Sequence, residues 1–226
     1  MNMGKAFGFI VAGMLLWQDN QPPVVKILSP KSDALQTGIE QVHYSISVAD
    51  KEDGDSKFEE INNKEVLMEV RYVKSEAAVQ AVVKKGVKDD PPGLTMIRTN
   101  NCFNCHNFDG KGIGPSFFEI SNRYPFTAAN ISQVAKRVRE GSTGVWGKVS
   151  MPTHPELRQE EAEEVVRWML QNGAKADVRY YVGVDGVFKV SPGVKGAYVL
   201  TASYVDHGSA SGRRREGQDR VVVRVR

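Results

Sequence analysis

The 226-residue chain has two cysteines, and they stand two residues apart: Cys102-Phe103-Asn104-Cys105, with His106 immediately after. A C-x-x-C pair suits three chemistries: dithiol redox exchange, half of a tetrahedral zinc site, or thioether attachment of haem. No second C-x-x-C exists to complete a zinc site, and no βαβ pattern surrounds the pair. The following histidine selects the third chemistry. In C-x-x-C-H each thiol can add to one porphyrin vinyl group, and the imidazole is held beneath the ring where it can bind iron. One covalent haem c with its iron is therefore the expected cofactor.

Iron bound by His106 alone leaves an axial position open, and its occupant decides the function. Met151 lies in a Gly- and Pro-punctuated loop, where thioether ligation would raise the potential and favour electron transfer. His154 is the rival, and bis-histidine ligation would lower the potential. With neither in place the iron would bind small gases or peroxide, giving a haem enzyme or ligand sensor. Met1, Met3, Met14, Met68, Met96 and Met169 fall in the leader, a strand or helix cores, and are weaker candidates.

Several elements must position these groups. From Gly93 to Gly173 the apolar period is helical: Ile131, Val134, Ala135 and Val138 form one stripe that stops at Gly141. Ala162, Val165, Val166, Met169 and Leu170 form another, after Glu160 and Glu161 and before Gly173. Strand patterns flank this block. Before it come Val24 to Leu28, Gln41 to Ala49 and Glu65 to Val73; after it come Val178 to Val184, Val187 to Val190, Ala197 to Val205 and Val221 to Val225. Residues 76–92, ending at Pro91-Pro92, read as a linker with room for a short helix. Asp50 to Asp55 lacks EF-hand spacing and reads as a solvated acidic turn. His43 and His207 are expected on the surface.

Three strands before the helical block and four after it are each too few for a sandwich, whereas seven suffice for an immunoglobulin-like one. The expected fold class is α+β multidomain, with an all-α unit at 93–173 inserted in, or flanked by, an Ig-like antiparallel β-sandwich built from 22–75 and 178–226. At the N-terminus, Lys5 precedes an apolar run from Ala6 to Trp17, so 1–17 reads as a signal peptide or an uncleaved anchor. That leader and haem attachment together predict a periplasmic or otherwise extracytoplasmic location, with membrane contact only through the leader. A net charge of +3 is too small to imply a nucleic-acid partner.

Across roughly Gly93 to Gly173 the sequence resembles the class I c-type cytochromes of the small bacterial type. The resemblance is carried by Cys102 to His106, Gly114-Pro115-Ser116, Ile120, Tyr124, Gly141, Gly144-Val145-Trp146-Gly147, Met151-Pro152 and Trp168. It implies thioethers from Cys102 and Cys105, proximal His106 and distal Met151. It also implies a Pro115 carbonyl that accepts the His106 Nδ1 proton, and Trp146 near a haem propionate; a core tryptophan is the plain alternative for Trp146. The flanks, through Pro22-Pro23, Asp50 to Gly54, Gly196-Ala197-Tyr198 and Asp206 to Gly208, resemble Ig- or PKD-like modules of bacterial sugar-dehydrogenase-type proteins. No catalytic dehydrogenase domain is visible, so the resemblance implies an electron carrier rather than an enzyme, or a subunit or fragment of an oxidoreductase. A dehydrogenase would be its donor, and a cytochrome or oxidase its acceptor. A sandwich that binds a partner and carries the redox unit as passenger is a further class.

Overall fold

The computed structural model describes residues 20–36, 40–85, 90–110, 112–190, 195–209 and 212–225. The leader expected at 1–17 lies outside the described residues. Strands β1 (Val24–Ser29), β2 (Ala34–Gln36), β3 (Gln41–Asp50), β4 (Gly54–Asp55) and β5 (Leu67–Val73) come first. Helices α1 (Glu76–Lys84), α2 (Pro92–Thr99), α3 (Phe117–Arg123), α4 (Ala128–Glu140) and α5 (Gln159–Asn172) follow. Strands β6 (Val178–Val182), β7 (Asp185–Lys189), β8 (Gly196–Val205) and β9 (Glu216–Val225) complete the described strands and α-helices.

The strands form two sheets. One has the order β1-β3-β4, with β7 also on β3; the other runs β2-β9-β8-β5-β6. Strands from both sides of the helical block meet within each sheet. In the first, Val42 of β3 faces Phe188 of β7; in the second, Leu67 of β5 faces both Val182 of β6 and Ser203 of β8. The ladders are antiparallel except for β2, which runs parallel to β9, so the expectation of a wholly antiparallel sandwich needs that correction. The chain carries β2 across to the second sheet after β1, where Asp33 N–H donates to the Val222 carbonyl at 2.7 Å.

Strand period explains which faces are covered. In β3, Val42, Tyr44, Ile46 and Val48 are buried while the residues between them are more exposed, as in a sheet wet on one face. In β8 the inward set Tyr198, Leu200, Ala202 and Tyr204 joins the core between the sheets, and the outward Ala197 and Val199 are buried as well. Helix α1 covers these outward residues with Val79, and Leu67, Val178 and Tyr180 of β5 and β6 join the core of the helical block. The five-stranded sheet is thus the middle layer of three.

Helix α1 is the short helix for which the expected linker had room, and it packs on the sheet through Val79. Ser75 caps it by accepting from Ala78 N–H at 3.2 Å, and Glu76 stands in its first turn. Arg98 of α2 is the main polar tie between helices and sheet. It donates to Asp90 at 2.6 Å, Glu216 at 3.3 Å, Ser203 Oγ at 3.0 Å, and the carbonyls of Glu65 and Ser203 at 3.2 Å.

The acidic turn is only partly solvated. Asp53 accepts from the Tyr204 hydroxyl at 2.8 Å and the His207 N–H at 2.9 Å, and the exposed His207 ring also reaches Glu65 at 3.1 Å. His43 is exposed on β3.

Candidate haem-binding site

Asn101, in the left-handed region at φ 55°, turns the chain out of α2 into a 3-10 turn over Cys102–Asn104. His106 N–H then donates to the Cys102 carbonyl at 3.0 Å, so both sulfurs and the imidazole belong to one tight turn. Downstream, Ser116 and Glu119 cap α3 reciprocally: Glu119 N–H donates to Ser116 Oγ at 3.2 Å and Ser116 N–H to Glu119 at 2.8 Å. This cap fixes Pro115, whose carbonyl lies 2.7 Å from His106 Nδ1. A carbonyl only accepts, so Nδ1 carries the proton and Nε2 keeps the lone pair a metal requires. Gly114 is needed for this fit, because a Cβ there would stand 2.6 Å from His106 Cε1.

Met151 is positioned by a two-residue bridge to Ser142, just past the end of α4. Met151 N–H donates to the Ser142 carbonyl at 2.8 Å and Ser142 N–H returns a bond at 3.2 Å. Beyond it, His154 N–H donates to the Arg139 carbonyl at 3.1 Å, and Arg139 Nε donates to Leu157 O at 2.9 Å. The segment after Met151 is therefore fastened to the end of α4 at His154 and Leu157.

One cavity of about 610 Å³ gathers Cys102, Cys105, His106, Pro115, Trp146 and Met151. That size lies in the range of cofactor pockets. Its lining falls between Thr99 and Met169 and includes no strand residue. His154 and Met169 line it too, so the rival imidazole and a second thioether share the space. Trp146 is 40% exposed at the rim, which excludes the core-tryptophan reading, and the Arg123 guanidinium stacks on it at 4.5 Å.

Charge in the cavity agrees with the geometry. Burial pushes the Cys102 thiol up to about 12, the opposite of an activated redox cysteine. Burial also holds His106 below its ordinary range, against the opposing pull of the Pro115 bond, and His154 adds slightly to the lowering. A neutral imidazole is the form that ligates metal.

Sequence reasoning missed Arg137, the one arginine or lysine in the described lining, which donates to the Tyr124 hydroxyl at 2.6 Å. It sits between the core residues Val134 and Val138 of α4. Its signal was a cation on an otherwise apolar stripe. Glu156 was also missed; it accepts from His154 Nδ1 at 2.8 Å.

Two cysteines and a proton-donating imidazole in a cofactor-sized cavity, with thioether sulfur in its wall, are the donor set of a covalent haem site in a small helical unit. Residues 92–173 match the family model described as Cytochrome c. The chain is 33% identical over 78 residues to cytochrome c-551 of Azotobacter vinelandii, covering 34% of this chain and 94% of that protein. It is 39% identical over 72 residues to cytochrome c2 of Rubrivivax gelatinosus, covering 31% and 85%. Among solved structures, cytochrome c552 of Nitrosomonas europaea aligns with 28% identity and a TM-score of 0.33, covering 34% of this chain and 95% of that one. The chain belongs to the cytochrome c family. Its cofactor is covalently bound haem c with iron, and it is a haem-based electron carrier.

Proposed function

We propose that this chain is a monohaem, extracytoplasmic one-electron carrier whose iron is ligated by His106 and Met151. The cavity that joins both residues to the two cysteines is the observation that supports it. Cys102 and Cys105 would hold the haem by thioethers, and the haem supplies a one-electron ferric/ferrous couple. The protein's own part is positional. Pro115 orients His106, the Ser142 bridge holds Met151, and Arg137 and Trp146 in the lining would offer the haem carboxylates a cation and an N–H donor.

The domain reading belongs to the same proposal. Residues 93–173 form the haem unit, and 22–75 with 178–226 form an immunoglobulin-like sandwich around its insertion point. Residues 76–92 make the connection. The continuity of both sheets across the helical block supports this. A dehydrogenase would donate the electron and another cytochrome or an oxidase would accept it. A periplasmic location rests on the haem chemistry, and no helix among the described residues is long and apolar enough to cross a membrane.

A visible and near-infrared spectrum of the purified chain tests the ligands. A low-spin ferric form with the weak sulfur-to-iron band is expected, and Met151→Ala should abolish that band. A high-spin ferric form would favour a haem enzyme or sensor. Survival of the band in Met151→Ala would move the assignment to Met169. Loss of low-spin character in His154→Ala alone would move it to His154.

A further inference from the structure

Strand β6 reaches the haem site from behind through a chain of aromatic rings. Tyr180 of β6 packs on Phe108 at 5.0 Å and on Trp168 at 5.3 Å between ring centroids. Each of those rings meets Phe117 at 6.4 Å. Phe117 in turn stacks on the imidazole of His106, 6.0 Å away with the planes 20° apart. Tyr180 is itself held. Its hydroxyl donates to Glu69 Oε2 on β5 at 3.1 Å, and Arg71 grips Glu69 Oε1 at 2.9 Å. Burial and the Glu69 charge raise the phenol far above its ordinary range, so it remains a donor.

We propose that Tyr180 is a positioning residue for the redox centre: from behind the cavity wall it ties the sandwich to the haem site by holding Phe117, through Phe108 and Trp168, against His106. The inference rests on His106 as an iron ligand. Imidazole orientation and the dryness of the site are two of the levers by which a protein sets a haem potential. Removing the Tyr180 ring opens space behind Phe108 and Trp168, which frees Phe117, loosens the imidazole and lets water approach. Water favours the more highly charged ferric state, so the potential falls.

The experiment uses the full haem-loaded chain. Tyr180→Leu is expected to lower the reduction equilibrium constant at least threefold, about 28 mV at 59 mV per decade for one electron. Its low-spin ferric EPR g-values should shift with it. Tyr180→Phe keeps the ring and should restore both readings. Phe188→Leu, in the core between the sheets and outside this chain of rings, should change neither. Where the leucine variant does not fold, Tyr180→Met reads the same loss with an unbranched, adaptable side chain. An unchanged potential and EPR spectrum in the folded leucine or methionine variant would overturn the proposal. So would an equal shift in Phe188→Leu, which would make the effect one of general core loss. A wild-type chain with no low-spin ferric signal removes the ligand assignment, and this proposal with it, before any Tyr180 variant is compared.

Discussion

Replacing Arg98 with methionine measures how firmly the haem unit is fastened to the sheet beside it. The Arg98 side chain is 5% exposed and the carboxylates of Asp90 and Glu216 are 12% exposed, so the charges meet largely away from water. Methionine fills much of the stem's space but leaves those two carboxylates and the carbonyls of Glu65 and Ser203 without their guanidinium donors. Removing one partner from a buried ion pair costs about 3–5 kcal/mol. Against a typical stability of about 5–15 kcal/mol, that is a fifth or more of the total. The loss also has a pH signature. Burial and the neighbouring Asp90 already raise Glu216, and Arg98 pulls it down; without Arg98 it rises further. A carboxyl whose folded value exceeds its unfolded value destabilises most when ionised, and that penalty is relieved as pH falls through the folded value toward the unfolded one. The Arg98→Met deficit should therefore be smaller at pH 5 than at pH 7.5, and adding Glu216→Gln should recover part of it at the higher pH. Urea titrations followed by circular dichroism on the haem-loaded chain give both numbers. A loss below about 1 kcal/mol, the ceiling for an exposed ion pair, and equal at both pH values, would refute the buried-clamp reasoning.

Gly114→Ala should displace the His106 ring, break its 2.7 Å bond to Pro115 and alter the low-spin spectrum, with an overpacking cost of about 1–3 kcal/mol in the same titration. Arg137→Met should lower the haem potential by up to about 59 mV, a tenfold change in the equilibrium, because removing a cation from the cavity favours ferric iron; spectroelectrochemical titration reads it. Asp206→Ala should cost about 3 kcal/mol in thermal or urea unfolding. Its fully buried carboxylate accepts from Asn20 Nδ2 at 2.7 Å, Arg215 N–H at 2.8 Å and Gly208 N–H at 2.9 Å, and all three donors would lose it.

Local pattern made part of this molecule readable. The alternation Val42, Tyr44, Ile46, Val48 marks β3 because that sheet has one wet face, and the stripes of α4 and α5 mark their buried sides. Cys102 to His106 and Met151 could be singled out because their chemistry depends on spacing and residue type. What escaped depends on distant partners. The strands β2 and β4, three and two residues long, are too short to carry a period. A short helix is expected between Ser75 and Pro92, but its packing on β8 was not legible, because Val79 is its one fully buried residue. Arg98 and Tyr180 look ordinary in their own segments. They gain meaning only because β8 and β9 meet the one and Phe108 and Trp168 meet the other.

The pairing of β5 with β6 has a consequence for how the chain assembles. These neighbours in the sheet, with Arg71 opposite Val178, are joined through the whole helical block. Closing a flexible loop of roughly a hundred residues carries an entropy cost that grows with the logarithm of its length, and pairings this distant in sequence form slowly. Collapse of the helical block around its cofactor would bring the two strand ends together and shorten the search. A chain without its haem is therefore expected to complete the β5–β6 ladder more slowly than the haem-loaded chain, and refolding rates of the two followed by circular dichroism measure the difference.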